Sequence, residues 1–523
     1  MSNATLTGFS AAGLDGHNGA AQQQVSWSAA FALALVAYAS ACSFLRFRRF
    51  KDIHGRFPYP DRASLSRMTN EDAQAIVHSM SSWECPLFFD LGLRYALFKT
   101  YAVDSIASLL VAVSDLAQPD QAPKRYEDTE IIFVAFAQFH PNSPLLHQAV
   151  GRMNYLHAPY IKSGKITNED LVYVLYTAMV EPIRFFRLYE WRAMSEMEEA
   201  AQCTLWKYVG DMMEINYAAV LGKNQWRDAL EFRDDVTRWA CKYEEDHVRP
   251  SAEVERLGEV LIDLLLSAYP KAARPLGYQL VLVLLGEKLR YAFRLPEPGV
   301  AVTAFAYSLL LLRKLFLRFL ALPRRNPLKY LSDAPDPKTG RMSHNRYLKE
   351  PWYTPATWSS RWGPVALATR AYGGIVPGDK PELKPEGFLW EDVGPRGKMG
   401  KGAEESANLG QRAGRPIQGR TSTTTAAPGA QMGGPYPTSL REGDASASYE
   451  HPPGYQQDVH ASEFSSSQRA AHAAAAGHDS GLMSSFGQDD QAGVWDAAKK
   501  WAAAAGESLA AAENEVWKRI NKD

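Results

Sequence analysis

The chain has 523 residues, and its 57 Lys and Arg side chains almost balance its 58 Asp and Glu side chains, which leaves a formal net charge of -1. This balance excludes a protein that binds nucleic acid through overall basicity. The four scattered cysteines are too few for a disulfide framework or a Cys-x-x-Cys metal site. The 46% apolar content permits a large core, but the two ends of the chain differ strongly in composition from its middle.

An uncharged apolar segment at residues 25–45 is the first predicted element. About 21 residues, at about 1.5 Å of helical rise each, match the ~30 Å hydrocarbon layer of a membrane. Basic residues follow at 46–51, whereas residues 1–24 contain no Lys or Arg. The positive-inside rule therefore predicts a luminal tail at 1–24 and a cytosolic domain after the span. A cleaved signal peptide is the alternative, but such peptides carry their positive charge before the apolar run.

The sequence predicts one all-helical domain at residues 46–394. Ser143 followed by Pro144 is typical of a helix start, and capping boxes are predicted at Thr167 and Ser195. Helical spacing of apolar residues predicts further helices near 70–81, 86–101, 104–117, 128–139, 225–247, 251–268 and 277–292.

Two later parts of this domain have an unusual composition. The apolar stretch 302–322 contains three cations, which favours a helix that is buried or lies along the membrane over a second span. Residues 323–393 are rich in Pro, Gly and Trp and predict an irregular strap over the domain.

The C-terminal region is predicted to lie outside the domain. Residues 395–490 are dominated by small and polar side chains, which predicts a disordered linker because such a segment buries too little apolar surface. Residues 491–523 have apolar residues at helical spacing and predict an amphipathic helix. That helix could lie on a membrane, pair with another helix, or lack a fixed partner.

No short catalytic motif stands out in the sequence. The GxSxG, HExxH and strand-linked GxGxxG patterns are absent, and Glu244-x-x-His247 is a single ExxH that is best interpreted as a solvated, charged helix end. Residue patterns alone therefore predict a membrane-anchored helical protein and single out no catalytic residue.

An ordered series of short motifs lies between Tyr95 and Tyr217. Its members are Phe98-Lys99-Thr100-Tyr101, Arg125-Tyr-Glu-Asp128-Thr129, Gly151-Arg152-Met-Asn154-Tyr-Leu-His157, Ile166-Thr-Asn-Glu-Asp170-Leu, Glu181-Pro182-Ile183-Arg184, Tyr189-Glu190-Trp191-Arg192 and Trp206-Lys-Tyr-Val-Gly210. The series resembles the ER-bound oxygenase and rubber oxygenase family, which includes the latex-clearing proteins, and in particular its fungal branch.

The resemblance implies an all-α domain that holds one haem b, activates dioxygen and cleaves C=C bonds of isoprenoid chains. It implies His157, within Leu156-His157-Ala158, as the iron ligand; a core histidine is the alternative. It also implies that Lys99 and Thr100 act on the distal side of the haem. A surface lysine and a helical threonine bonded to its own backbone are the alternatives for these two residues.

Arg184, Arg187 and Arg192 are predicted partners of the haem propionates, since carboxylates need such cations. Pairing with Glu181, Glu190 and Glu196 is the alternative. Two departures from the latex-clearing pattern, Asn154 and Ala96, change the polar surroundings that the family places near its haem.

The resemblance therefore implies a membrane-anchored oxygenase of secondary metabolism in the endoplasmic reticulum. The apolar segment and the charges that follow it predict a single-pass protein with its catalytic domain facing the cytosol. Its expected partners are a hydrophobic prenylated substrate, dioxygen and membrane lipid, but not nucleic acid. The alternatives are a non-catalytic haem- or lipid-binding protein on the same fold, and a different haem oxidation such as peroxygenation.

Overall fold

The computed structural model describes residues 27–267 and 269–415, and this part of the chain is helical without a β-strand. The all-α prediction is therefore confirmed. The helices of nine or more residues are numbered α1 (Trp27–Arg56), α2 (Asn70–His78), α3 (Pro86–Thr100), α4 (Asp104–Val113), α5 (Ala122–Gln138), α6 (Pro144–Lys162), α7 (Asn168–Tyr189), α8 (Glu196–Met212), α9 (Ala229–His247), α10 (Ala252–Ser267), α11 (Arg274–Ala292), α12 (Val300–Phe319) and α13 (Ala403–Ala413).

The predicted helix starts are found in the structure. The Ser143 hydroxyl accepts a bond from the Leu145 amide at the start of α6, and Pro144 is the first residue of that helix. Both predicted capping boxes, at Thr167 and Ser195, are formed. These side chains satisfy amide groups that have no partner within the helix, so each helix begins where its cap lies.

Helix α7 is the centre of the domain, and most of its length is buried. It packs closely against α3 at Gly92, where an added Cβ would lie 2.8 Å from the Cα of Pro182. Only a glycine permits this backbone approach. Pro182 lies inside α7 and has no amide hydrogen to donate. The two helices are therefore held in one register by backbone shape as well as by apolar packing.

Two helices of the described region, α1 and α12, are long and apolar enough to cross a membrane. Helix α1 continues to Arg56, beyond the predicted span at 25–45. The buried alternative for 302–322 is wrong, because only 11% of the apolar window of α12 is buried; a helix along the membrane stays a prediction. Side chains such as Leu312 are exposed on its surface.

Arg313 of α12 points back towards the domain rather than outwards. Arg313 donates to the carbonyl oxygen of Tyr189 at 3.1 Å and to the Glu190 carboxylate at 2.9 Å. The end of α12 is tied to α1, since Arg46 donates to the carbonyl oxygen of Ala321 at 3.0 Å. The pair of apolar helices is thus fixed to the domain by charged groups on its inner side.

The strap at 323–393 is irregular, as predicted, and contains short helices and isolated β-bridges. Its end is fastened by Arg152 of α6, which is fully buried. The guanidinium donates to four backbone carbonyl oxygens, those of Val393, Lys401, Glu391 and Lys398, at 2.7–3.0 Å. Arg152 therefore holds the C-terminal segment of the domain.

The predicted start of the disordered linker at residue 395 is wrong, because the folded domain continues to 415. Helix α13 packs along α6, and Gly410 of α13 lies against the α6 backbone near Gly151. The polar composition of residues 395–415 led to the prediction of disorder. The segment is held to the domain through backbone contacts and Arg152 rather than through large apolar side chains. The remainder of the linker (416–490), the tail at 1–24 and the helix at 491–523 lie outside the described residues.

Gly151→Ala is expected to destabilise the domain, because its Cβ would lie 2.1 Å from the carbonyl oxygen of Ser406 in α13. Such overpacking costs about 1–3 kcal/mol, which thermal or denaturant unfolding measures. The matched control is Gly55→Ala in α1, where nothing lies within 4 Å of the added atom. Equal melting temperatures for both variants would contradict the α6–α13 packing.

Candidate active site

Helices α3–α8 line an open apolar cavity with a volume of about 180 Å³. Apolar side chains from all six helices form most of its wall, among them Leu97, Ile106, Phe136, Leu156, Val174 and Trp206. Polar groups are few, and the charged or titratable ones include Arg125, His157, Lys165 and Asp170. An apolar pocket with a few convergent polar groups is the usual form of a ligand site.

The predicted ligand His157 lies on α6 and lines this cavity. Protein encloses the ring, and part of its surface faces the cavity. Burial, together with the nearby Arg125 charge, lowers the pKa of His157 to about 4. Its Nδ1 atom is buried and has no hydrogen-bond partner among the described residues. His157 is therefore a neutral imidazole with an unused polar atom, as a metal ligand requires.

Arg125 and Thr129 also line the cavity, and sequence reasoning assigned neither of them a role. They lie one turn apart on α5, and the Arg125 Nη1 atom donates to the Thr129 hydroxyl. The Nε atom of Arg125 is buried without a hydrogen bond, and no carboxylate of the described residues forms an ion pair with this guanidinium. The i, i+4 spacing within the matched Arg125–Thr129 motif was the available signal, since it places both residues on one helix face.

Lys99 is not among the residues that line the cavity. It is buried, and its Nζ atom lies 3.1 Å from Glu181 and 2.9 Å from Glu244. A distal role for Lys99 would require both ion pairs to break. The surface-lysine alternative is wrong, and so is the interpretation of Glu244 as a solvated helix end, because Glu244 also pairs with Lys288 at 2.7 Å.

Thr100 does line the cavity, one residue after Lys99. Its hydroxyl donates to the carbonyl oxygen of Leu97 at 2.7 Å, which is the helical backbone bond expected as the alternative. The hydroxyl proton is therefore committed, and the oxygen can only accept a further hydrogen bond.

The three arginines predicted to bind propionates do not line the cavity. Arg184 donates to Glu181 at 2.6 Å, as the alternative expected. Arg192 forms paired bonds to Glu84 and Glu198, and Arg187 is exposed on the surface. The prediction is corrected for a physical reason: the buried Arg184 and Arg192 need a carboxylate nearby and already have one from the protein, whereas Arg187 lies on the surface.

Lys99→Met is expected to lower the stability of the domain by about 3 kcal/mol, since it leaves two buried carboxylates without their shared cation. Denaturant unfolding measures this loss. Lys165→Met is the matched control, because Lys165 lines the cavity but is solvent-exposed. Unchanged stability of Lys99→Met would contradict the structural role of Lys99.

The chain is similar to known proteins over most of its length. The profile of the family described as "ER-bound oxygenase mpaB/B'/Rubber oxygenase, catalytic domain" matches residues 144–315. The ER-bound oxygenase mpaB' of Penicillium brevicompactum is 32% identical over 374 residues, which are 71% of this chain and 88% of the relative. The ER-bound oxygenase mpaB of the same organism is 30% identical over 71% of this chain and 89% of its own length. The chain therefore belongs to the family of ER-bound mpaB-type oxygenases and rubber oxygenases.

Proposed function

We propose that this oxygenase binds one haem b in the α3–α8 cavity, with His157 as the iron ligand, and cleaves a C=C bond in a hydrophobic prenyl chain. The observation that carries the proposal is the neutral imidazole of His157 beside the unpaired Arg125 guanidinium, inside an apolar cavity. Both lie on helices that also supply the apolar wall, so one space offers an iron ligand, a cation and an apolar chain-binding surface.

The residues present fit a haem. An apolar wall suits the macrocycle, and a neutral imidazole suits its iron. Arg125 and, at the solvent-exposed side, Lys165 are the cations that could pair with its carboxylates. When bound, the haem supplies the dioxygen-binding and electron-transfer chemistry that side chains lack.

The residues of the chain would then orient the substrate and exclude water. Cleavage of an alkene by one dioxygen molecule gives two carbonyl groups, each of which takes one oxygen atom, so no further reductant is consumed. Leu97, Ile132 and Phe136 offer the apolar contacts that a prenyl chain needs.

We further propose attachment to the endoplasmic reticulum membrane, for which the relatives are named. Helix α1 supplies a candidate span, and α12 lies beside it. The basic residues at 46–51 favour a cytosolic domain. A lipophilic substrate concentrates in the bilayer, so an anchored domain would meet it at high local concentration.

His157→Ala is expected to abolish stoichiometric haem binding, since the iron would lose its protein ligand. The measurement is the Soret band of the purified full chain, with haem quantified per protein. His147→Ala is the control, because His147 lies on the same helix but outside the cavity lining. The same haem content in both variants would contradict the assignment of His157.

Arg125→Gln is expected to weaken haem binding by about 10- to 100-fold, since a charged hydrogen bond contributes roughly 1.5–3 kcal/mol. Haem titration of the protein measures this change. Arg187→Gln, at an exposed position, should leave affinity unchanged. If Arg187→Gln gave the larger loss, the original propionate assignment would be right and the cavity assignment wrong.

Incubation of the membrane fraction with a farnesylated aromatic compound under labelled dioxygen tests the reaction. Label is expected in a new aldehyde or ketone, after correction for exchange with water, and the product should be lost in His157→Ala. Turnover without dioxygen, or a hydroxylated product with an intact chain, would contradict cleavage and favour a different oxidation.

A further inference from the structure

A second cluster of metal-ligating side chains lies outside the cavity. Glu127 and Glu130 project from α5, and His344 comes from the strap. All three are buried, with exposed fractions of 1%, 7% and 0%. One ligand atom from each lies within 4.8 Å of the others, although His344 follows the two glutamates by more than 200 residues.

Each carboxylate is anchored through one oxygen and leaves the other unused. Glu127 Oε1 accepts the backbone amide hydrogen of Leu348 at 2.7 Å, and Glu130 Oε1 accepts Arg94 Nη2 at 2.6 Å. Both Oε2 atoms and both ring nitrogens of His344 are buried and have no hydrogen bond among the described residues. The Nδ1 atom of His344 lies 3.3 Å from Glu127 Oε2. Three side chains therefore bring potential metal-ligand atoms close together, and these atoms have no hydrogen-bond partner among the described residues.

Arg94, the cation that is bound to the cluster, also pairs with Asp90 at 2.9 Å. Burial and the adjacent Glu130 raise the pKa of Glu127 well above its usual value. Burial, then Arg94 and Arg346, lower the pKa of His344 to about 3, so its ring is neutral and keeps a lone pair. His344 therefore cannot act as the counter-ion of the two glutamates, although it can act as a ligand.

We propose that Glu127, Glu130 and His344 bind a divalent first-row transition-metal ion. Two carboxylate oxygens and one imidazole nitrogen form a donor set that such ions accept. Ligand atoms around a metal with bonds of about 2.1 Å lie up to about 4.2 Å apart, so the cluster closes with small side-chain movements. A fourth ligand position would be filled by water or remain open.

The ion would act as a cross-link between the strap and α5. Helix α5 also carries Arg125 and Thr129, which line the cavity from another face of the same turns. The metal would fasten the strap to the helix that positions these two groups, without touching the cavity. Its role is structural, and it does not depend on the haem assignment.

The test is metal analysis of the purified full chain, dialysed against Zn²⁺ or, in parallel, Mg²⁺. We expect one zinc per chain, little magnesium, a melting temperature that falls on chelation, and recovery when zinc is returned. Glu130→Gln and His344→Asn should each lose the bound zinc. His140→Asn is the matched control, because His140 is exposed and does not belong to the cluster. Haem iron is counted separately from its absorption, so it does not enter the zinc count.

Two results would overturn the proposal. Zinc retained in both cluster variants would place the ion elsewhere. If neither the chelator nor added zinc changes the melting temperature of the unmodified protein, then a shared proton, rather than a metal, joins Glu127 to His344. This second measurement needs no variant, so it decides the question even if the variants fail to fold.

Discussion

The buried charge network around Glu181 is the constraint on which the rest of the domain depends. The Glu181 carboxylate of α7 forms ion pairs with Lys99 of α3 and with Arg184 of its own helix. Lys99 also forms an ion pair with Glu244 of α9. A buried charge without a partner costs several kcal/mol, so these helices can approach only in the register that brings the charges together. Helices α3 and α7 both form cavity wall, and the register that pairs the charges therefore also sets the shape of the cavity.

One short segment of helix α5 contacts the end of the strap, the cavity and His344. In the segment 124–130, Lys124 donates to the carbonyl oxygens of Asp392 and Gly394 and holds the end of the strap. Arg125 lines the cavity, and Glu127 faces His344. A helix turns by 100° per residue, so neighbouring charged residues point to different surroundings. The dense charge of this segment, which a composition argument would assign to solvent, is almost entirely used inside the protein.

The sequence allowed local structure to be predicted well and distant partners poorly. Caps at Ser143 and Thr167 depend on residues a few positions away, so their pattern is visible in the chain. The partners of Lys99 lie 82 and 145 positions further on in Glu181 and Glu244, and only the tertiary fold brings them together. His157 was found through a family resemblance, and the structure places it in the cavity. Arg125 stands out because it has no carboxylate partner among the described residues, and no pattern in the sequence shows which cations lack such a partner.

The lack of a carboxylate partner distinguishes the half-buried Arg125 from the buried cations Lys124, Arg184 and Arg152. Lys124 has Asp128, Arg184 has Glu181, and Arg152 is surrounded by carbonyl oxygens. The protein compensates each of these charges internally, which makes them supports of the fold. Arg125 has only a hydroxyl, and its Nε atom remains unpaired beside an apolar cavity. A charge left uncompensated in surroundings of low polarity favours an anionic group from outside the chain. Burial and then this same charge lower the pKa of His157, so the guanidinium that would attract an anionic ligand also helps to keep the neighbouring imidazole neutral.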